Sequence, residues 1–328
     1  MTPLQFEAEH GALWDELEAA LGALPKAKRP APRADRARIA ALYRAACEHL
    51  AIAESRAYPV WLIERLESLT ARGHQRIYRQ TDFGLDRLAR LFLVDFPASV
   101  RAHRMHVLIA LVAFAVPLLV IGALSYLDPG FVLSLHDART VDQYEQMYGD
   151  AEGPIGRRGA ESDWAMFGLY IYNNVGIAFQ CFAGGLFYGI GSLFFLATNG
   201  ALLGSVAGYV TWRGFGENFY SFVITHGAFE LTGIVLAGTA GLVLGHALLA
   251  PGRRSRLAAL EDAARRAVVI VYGMTALFVI AAALEAFWSS ARWVPANVKI
   301  GVGAACWLVV ILYFVFQGRS RSEPAPRR

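Results

Sequence analysis

The stretch from Asn173 to Gly245 constrains this chain most. It reads NNVGIAFQCFAGGLFYGIGSLFFLATNGALLGSVAGYV, then a short polar break, then THGAFELTGIVLAGTAGLVLG. Only glycines, a few asparagines and one histidine–acid pair interrupt the apolar residues. One bilayer crossing takes about 20 apolar residues, so the stretch is too long for a single span. The fold class it predicts is all-α: a polytopic membrane bundle of about six transmembrane helices, preceded by an N-terminal cytoplasmic helical region.

Composition agrees, with 55% hydrophobic and 18% charged residues, against about a quarter charged in a soluble domain. Charge gathers before His106, between Asp128 and Asp163, between Arg253 and Arg266, and after Gln317. The apolar runs between these blocks give crossings at 106–127, 165–190, 196–212, 228–250, 268–287 and 298–316, with an outer loop at 128–164. Cys47, Cys181 and Cys306 lie far apart, which suits small core residues and neither a disulfide framework nor a metal motif. Met1 to Ala20 is acidic and amphipathic rather than basic then apolar, so the first crossing is expected to insert uncleaved.

Residues 1–100 read as helical. Phe6, Leu13, Trp14, Leu17 and Leu21 keep helical spacing, Pro25, Pro30 and Pro32 mark a linker, and Ile39, Leu42, Tyr43, Leu50 and Ile52 continue a second helix. Pro59 starts a third through Leu62, Leu66 and Leu69. Phe83 to Val94 alternates Leu85, Leu88, Leu91 and Phe92 with Arg87 and Arg90, a pattern suited to the membrane surface or to packing on the preceding helices. No phosphate loop or nucleophile motif appears, and the arginines exceed the acids too slightly for nucleic-acid binding.

Arginines set the orientation. Arg87, Arg90, Arg101 and Arg104 precede crossing one. Arg253, Arg254, Arg256, Arg265 and Arg266 follow crossing four. Arg319, Arg321, Arg327 and Arg328 follow crossing six. The outer loop carries Asp137, Asp142, Glu145, Asp150, Glu152 and Glu161. Six crossings put every basic block in the cytoplasm, with both termini there.

Three constellations stand out. Gly200, Gly204 and Gly208 lie four apart on one helix face, and Gly185 with Gly189 and Gly241 with Gly245 repeat the interval. Such faces let helix backbones approach closely in lipid. They predict packing inside one subunit ahead of packing between subunits in a homo-oligomer. His226 and Glu230 are one helical turn apart and share a face. With Asn173, Asn174 and Glu285 they form a polar intramembrane cluster near the outer ends of their crossings. A structural clasp, a gate or proton relay, and a partner-binding site all fit. Zinc needs three or four ligands, which His226 and two glutamates supply only if Glu285 faces inward, so no metal and no cofactor is expected. HGAFE lacks the HExxH pattern, and His246 falls at the other end. Asn199 before Gly200 reads as a cap or a cross-helix bond.

Taken together, Asn173–Asn174, Ala178–Phe179, Phe182–Ala183–x–Gly185, Gly189–x–Gly191, Asn199–Gly200–x–x–Leu203–Gly204, and His226–Gly227–x–x–Glu230–Leu231 leading to Ala237–Gly238–x–x–Gly241 resemble the stage II sporulation protein M family. The resemblance runs from about residue 100 to about residue 320. It implies an integral protein of the bacterial inner membrane that anchors wall-cleaving partners during peptidoglycan remodelling. The expected function is therefore a non-enzymatic scaffold for other membrane or envelope proteins, in contact with the lipid bilayer and not with nucleic acid. The alternative is a transporter or channel with a polar site near His226 and Glu230, which predicts an open polar cavity reaching Glu230. An intramembrane hydrolase would need Ser221 or Thr225 as its nearest hydroxyl.

Overall fold

A computed structural model of the protein describes residues 1–23, 33–77, 85–149, 160–291 and 293–319, and every regular element among them is helical. Of the residues singled out above, Pro25, Pro30, Pro32, Phe83, Asp150, Glu152, Arg321, Arg327 and Arg328 lie outside the described residues. The chain divides into two compact units, Met1–Asp86 and Arg87–Arg328.

The first unit holds α1 (Pro3–Ala23), α2 (Arg33–Ser55) and α3 (Val60–Ile77). Their apolar stripes meet in one core of Phe6, Trp14, Leu17, Leu21, Leu42, Ala46, Ala53, Leu62, Leu66 and Leu69. Burial of a Leu or Phe side chain contributes about 1.5–3 kcal/mol, so this core is the main force ordering the three helices. One polar bond is sealed within it: Trp14 Nε1 donates to His49 Nδ1 at 3.0 Å. Burial holds the His49 imidazole below its ordinary value of 6.5, in keeping with a neutral ring that accepts that bond. Around the rim, Arg38 forks onto Glu16, and Arg65 reaches Glu7 and Asp15. These exposed pairs set register more than stability.

The second unit begins with α4 (Leu85–Arg90), a π-helical turn at Leu91–Asp95 and α5 (Phe96–Ala102). Leu85, Leu88, Leu93 and Val94 of this entry segment are exposed, whereas Phe96 is buried. Next come α6 (Arg104–Leu127), a 3-10 turn at Pro129–Ser134, α7 (Ala138–Tyr148), α8 (Ala160–Ala183), α9 (Ile190–Trp212), α10 (Gly216–Leu249), α11 (Arg256–Ala283) with a π-helical turn at Leu284–Ser289, and α12 (Ala296–Phe316).

Among the described residues five helices are long and apolar enough to cross a membrane: α6, α9, α10, α11 extended to Ser289, and α12. Helix α8, which carries the expected second crossing, is 24 residues long but is diluted by Asn173, Asn174 and Gln180. Helix α10 starts at Gly216, well before the expected start at 228. Glu217, Asn218 and Ser221 make its first turns read as a loop, yet these residues continue the helix. Helix α9 likewise starts at Ile190 rather than 196. The chain turns between α8 and α9 through a 3-10 segment at Gly184–Leu186, followed by Tyr188 and Gly189 with φ of 54° and 85°. That left-handed backbone is cheap for glycine and uncommon for tyrosine.

Helix α10 is the central post. Of its most apolar window 72% is buried in the bundle, against 11% for α6 and 17% for α12. The glycine faces lie on backbone. A Cβ on Gly200 would collide with the carbonyl oxygen of Phe114, one on Gly204 with that of Leu118, and one on Gly208 with that of Gly122, so the ridge of α9 sits directly on α6. A Cβ on Gly185 would strike the carbonyl of Gly241, and one on Gly245 the backbone of Gly189. These glycines thus meet one another across the α8–α9 turn and α10, within one chain.

Candidate functional site

Several polar residues of the bundle line one cavity of about 640 Å³. Helix α10 presents His226 and Glu230 to it from successive turns of one face. Helix α8 adds Asn173, and the π-helical turn after α11 adds Glu285. Such turns widen the helix locally and re-aim side chains, often at functional positions. This one aims two residues at α10, because Ser289 at its end also reaches His226. His226 Nδ1 and Ser289 Oγ share a hydrogen bond of 2.9 Å, and both side chains are buried. Lys299 Nζ in turn donates to the Ser289 carbonyl at 2.7 Å, and Thr225 Oγ1 donates to the Lys299 carbonyl at 3.3 Å. The imidazole is held from behind, and its other nitrogen is left toward the acids.

His226 Nε2 lies 3.9 Å from Glu230 Oε2, beyond hydrogen-bond length. One ligand atom from each of His226, Glu230 and Glu285 lies within 4.8 Å of the others. Among the described residues neither carboxylate pairs with a lysine or arginine. Two acids sharing an apolar bundle without a basic partner are costly.

Four of the five expected cluster residues, Asn173, His226, Glu230 and Glu285, therefore line one chamber. Asn174 does not. It is buried beside the chamber, its Oδ1 accepts from Asn173 Nδ2 at 3.3 Å, and its own Nδ2 has no partner among the described residues. Asn199 lines the chamber too, but its Nδ2 donates to the Phe195 carbonyl of its own helix at 2.7 Å, so it is neither a cap nor a cross-helix bond. His246 lies elsewhere and pairs with His106 at 3.0 Å.

Sequence reasoning missed the loop's share. His136, Tyr144 and Tyr148, from the segment joining α6 to α8, close one side of the chamber. His136 Nε2 and Ser205 Oγ share a 2.7 Å hydrogen bond, and burial pushes the His136 imidazole below 6.5. Helix α7 is fastened by Glu145, which accepts from the Tyr209 hydroxyl and from Arg213 Nη2 at the end of α9. The Tyr209 bond first, and Arg213 after it, hold the Glu145 carboxyl below its ordinary value against the opposing effect of burial. A sequence signal for this lid is the helical spacing of Val141, Tyr144 and Tyr148 within the acidic loop.

The arrangement can bind a cation or a proton, or hydrogen-bond a small polar solute. Of the two hydroxyls nearest in sequence, Ser221 donates to the Asn218 carbonyl and Thr225 to the Lys299 carbonyl, and the hydroxyl that hydrogen-bonds His226 is that of Ser289.

Residues 4–79 match a family model described as a domain of unknown function. No curated protein and no solved structure matches the chain. Residues 105–290, which contain the whole chamber and both glycine seams, match the model described as stage II sporulation protein M, and the chain belongs to that membrane protein family.

Proposed function

We propose that this protein binds a small ionic or polar solute in the chamber between α8, α9 and α10 and passes it across the bacterial inner membrane, as a transporter or channel without covalent chemistry. The single observation that carries the reading is the chamber itself. A volume of about 640 Å³ is large enough for a hydrated ion or small metabolite. Its polar wall draws on α7, α8, α9, α10 and the π-helical turn after α11, and includes two acids and an imidazole. A clasp that only fixes helix register has no use for such a space and would close it. The arginine blocks support a topology with the acidic loop, and hence the lid of the chamber, on the outer side.

The test is reconstitution. Purified protein in liposomes should pass ions or protons, detected by a trapped dye, and Glu230→Gln should abolish the flux while the protein remains folded. Folded wild-type protein that passes nothing overturns the proposal.

A second reading, a non-enzymatic anchor for envelope partners, is favoured by a different observation. The first unit has a core of its own and surface charges paired helix to helix, which suits a cytoplasmic docking module. Cross-linking in native membranes separates the two. The anchor reading expects defined partners lost on deleting residues 1–86, with no flux in liposomes.

A further inference from the structure

We propose that His226 Nε2 and the carboxylates of Glu230 and Glu285 together bind one divalent transition-metal ion of the zinc class at the wall of the chamber. The inference deepens the solute-binding reading and rests on it only for the chamber's access to water.

The donor set argues for this class of ion. One imidazole and two carboxylates offer a dication matched charge and three ligands, with a fourth position open toward the chamber. Three protein ligands and one open position are the arrangement of non-structural zinc sites. Calcium and magnesium ask for about six or more oxygens and do not seek imidazole. The distances are close to what is needed. The three ligand atoms lie within 4.8 Å of one another, and a tetrahedral zinc holds its ligands about 3.3 Å apart. The two glutamates cover that difference by small rotations of flexible side chains.

Two independent observations point the same way. The buried His226 has its Nδ1 fixed by Ser289, and Ser289 is fixed by Lys299. A metal-bound histidine typically has its second nitrogen held like this, which orients the first. In addition, neither glutamate receives a hydrogen bond or a lysine or arginine partner among the described residues. Two carboxylates within a membrane bundle are costly without a counter-charge, so a positively charged occupant at this point completes the site.

The experiment uses the full chain in detergent, stripped with a chelator and titrated with Co²⁺. The expected result is one bound Co²⁺ per chain with the visible absorption of a low-coordinate ion, displaced by Zn²⁺. Glu285→Gln and Glu230→Gln, which keep side-chain shape, should abolish that absorption. Ser289→Ala should weaken binding by about 10–100-fold, the cost of losing a supporting bond to a metal ligand. Because a variant can fail to fold, unaltered protein is also heated with and without Zn²⁺, and a rise in Tm is expected. Absence of both the Co²⁺ absorption and the Tm rise in wild-type protein overturns the proposal, as does wild-type Co²⁺ binding by folded Glu285→Gln. The outcome is separable from the transport reading. Co²⁺ binding in protein that passes no solute supports the metal site and sinks transport, whereas flux without Co²⁺ binding does the reverse.

Discussion

Replacing Gly204 with alanine tests how closely α9 lies on α6. A Cβ there would overlap the carbonyl oxygen of Leu118. That oxygen belongs to helix backbone and cannot rotate aside, so the two helices must part. Overpacking of this kind costs about 1–3 kcal/mol, while alanine in place of glycine returns up to about 1 kcal/mol of helix propensity. The net expectation is a loss of about 1–2 kcal/mol. At about 2–4 °C per kcal/mol, that corresponds to a fall in Tm of about 2–8 °C. Two controls sit in the same bundle. Gly122 faces the seam from the other helix, but a Cβ there lies 3.2 Å from the Gly204 carbonyl oxygen, so Gly122→Ala should cost much less. Gly176 of α8 has nothing within 4 Å, so Gly176→Ala should leave Tm unchanged or raise it. The assay is thermal unfolding of the three variants in one detergent. A Gly204→Ala protein as stable as Gly176→Ala would refute the close seam.

Two further expectations follow from other parts of the molecule. Leu66→Ala empties a fully buried position in the first unit and should cost about 2–5 kcal/mol, seen as faster hydrogen exchange in α1–α3; unchanged exchange would contradict the core described. Glu145 has a folded pKa below the ordinary glutamate value of 4.5, so the hold it gives α7 is present above that value and is lost as pH falls through the lower, folded one. Exchange in residues 138–148, corrected for intrinsic rates, should therefore rise as the pH drops below about 4.5, and Glu145→Gln should remove the pH dependence; an unchanged profile in Glu145→Gln would contradict it.

The parts of this architecture legible in the sequence are those carried by spacing on one helix. Gly200, Gly204 and Gly208 share a face whatever lies opposite, and His226 and Glu230 do the same. The seam onto Phe114 and Leu118 could not be read, because the partner helix shows only apolar residues with no distinguishing pattern. Glu285 was nameable as a costly acid in an apolar run. Its approach to His226 depends on the π-helical turn at Leu284–Ser289, and one extra residue per turn leaves no trace in hydropathy. Ser289 and Lys299 were invisible for the same reason: their roles arise from contacts between elements far apart in sequence. Glu217, Asn218 and Ser221 make the start of α10 look like a loop, yet in place Asn218 donates to the Tyr148 carbonyl and Ser221 to the Asn218 carbonyl. The lid residues Tyr144 and Tyr148 lie with Val141 at helical spacing on one face of α7, so the sequence holds the face that turns inward, while its seat on α9 and α10 depends on contacts far apart in sequence.

The central claim is that water reaches the acids inside the bundle, and cysteine accessibility measures this most directly. In a background with Cys47, Cys181 and Cys306 replaced, Val223→Cys places a thiol on the chamber wall, while Ile270→Cys places one in the sealed core at 0% exposure. A membrane-impermeant thiol reagent added to the outer face of sealed vesicles should label Val223→Cys and spare Ile270→Cys. If Val223→Cys stays as silent as Ile270→Cys, the chamber is dry and closed, and the account fails.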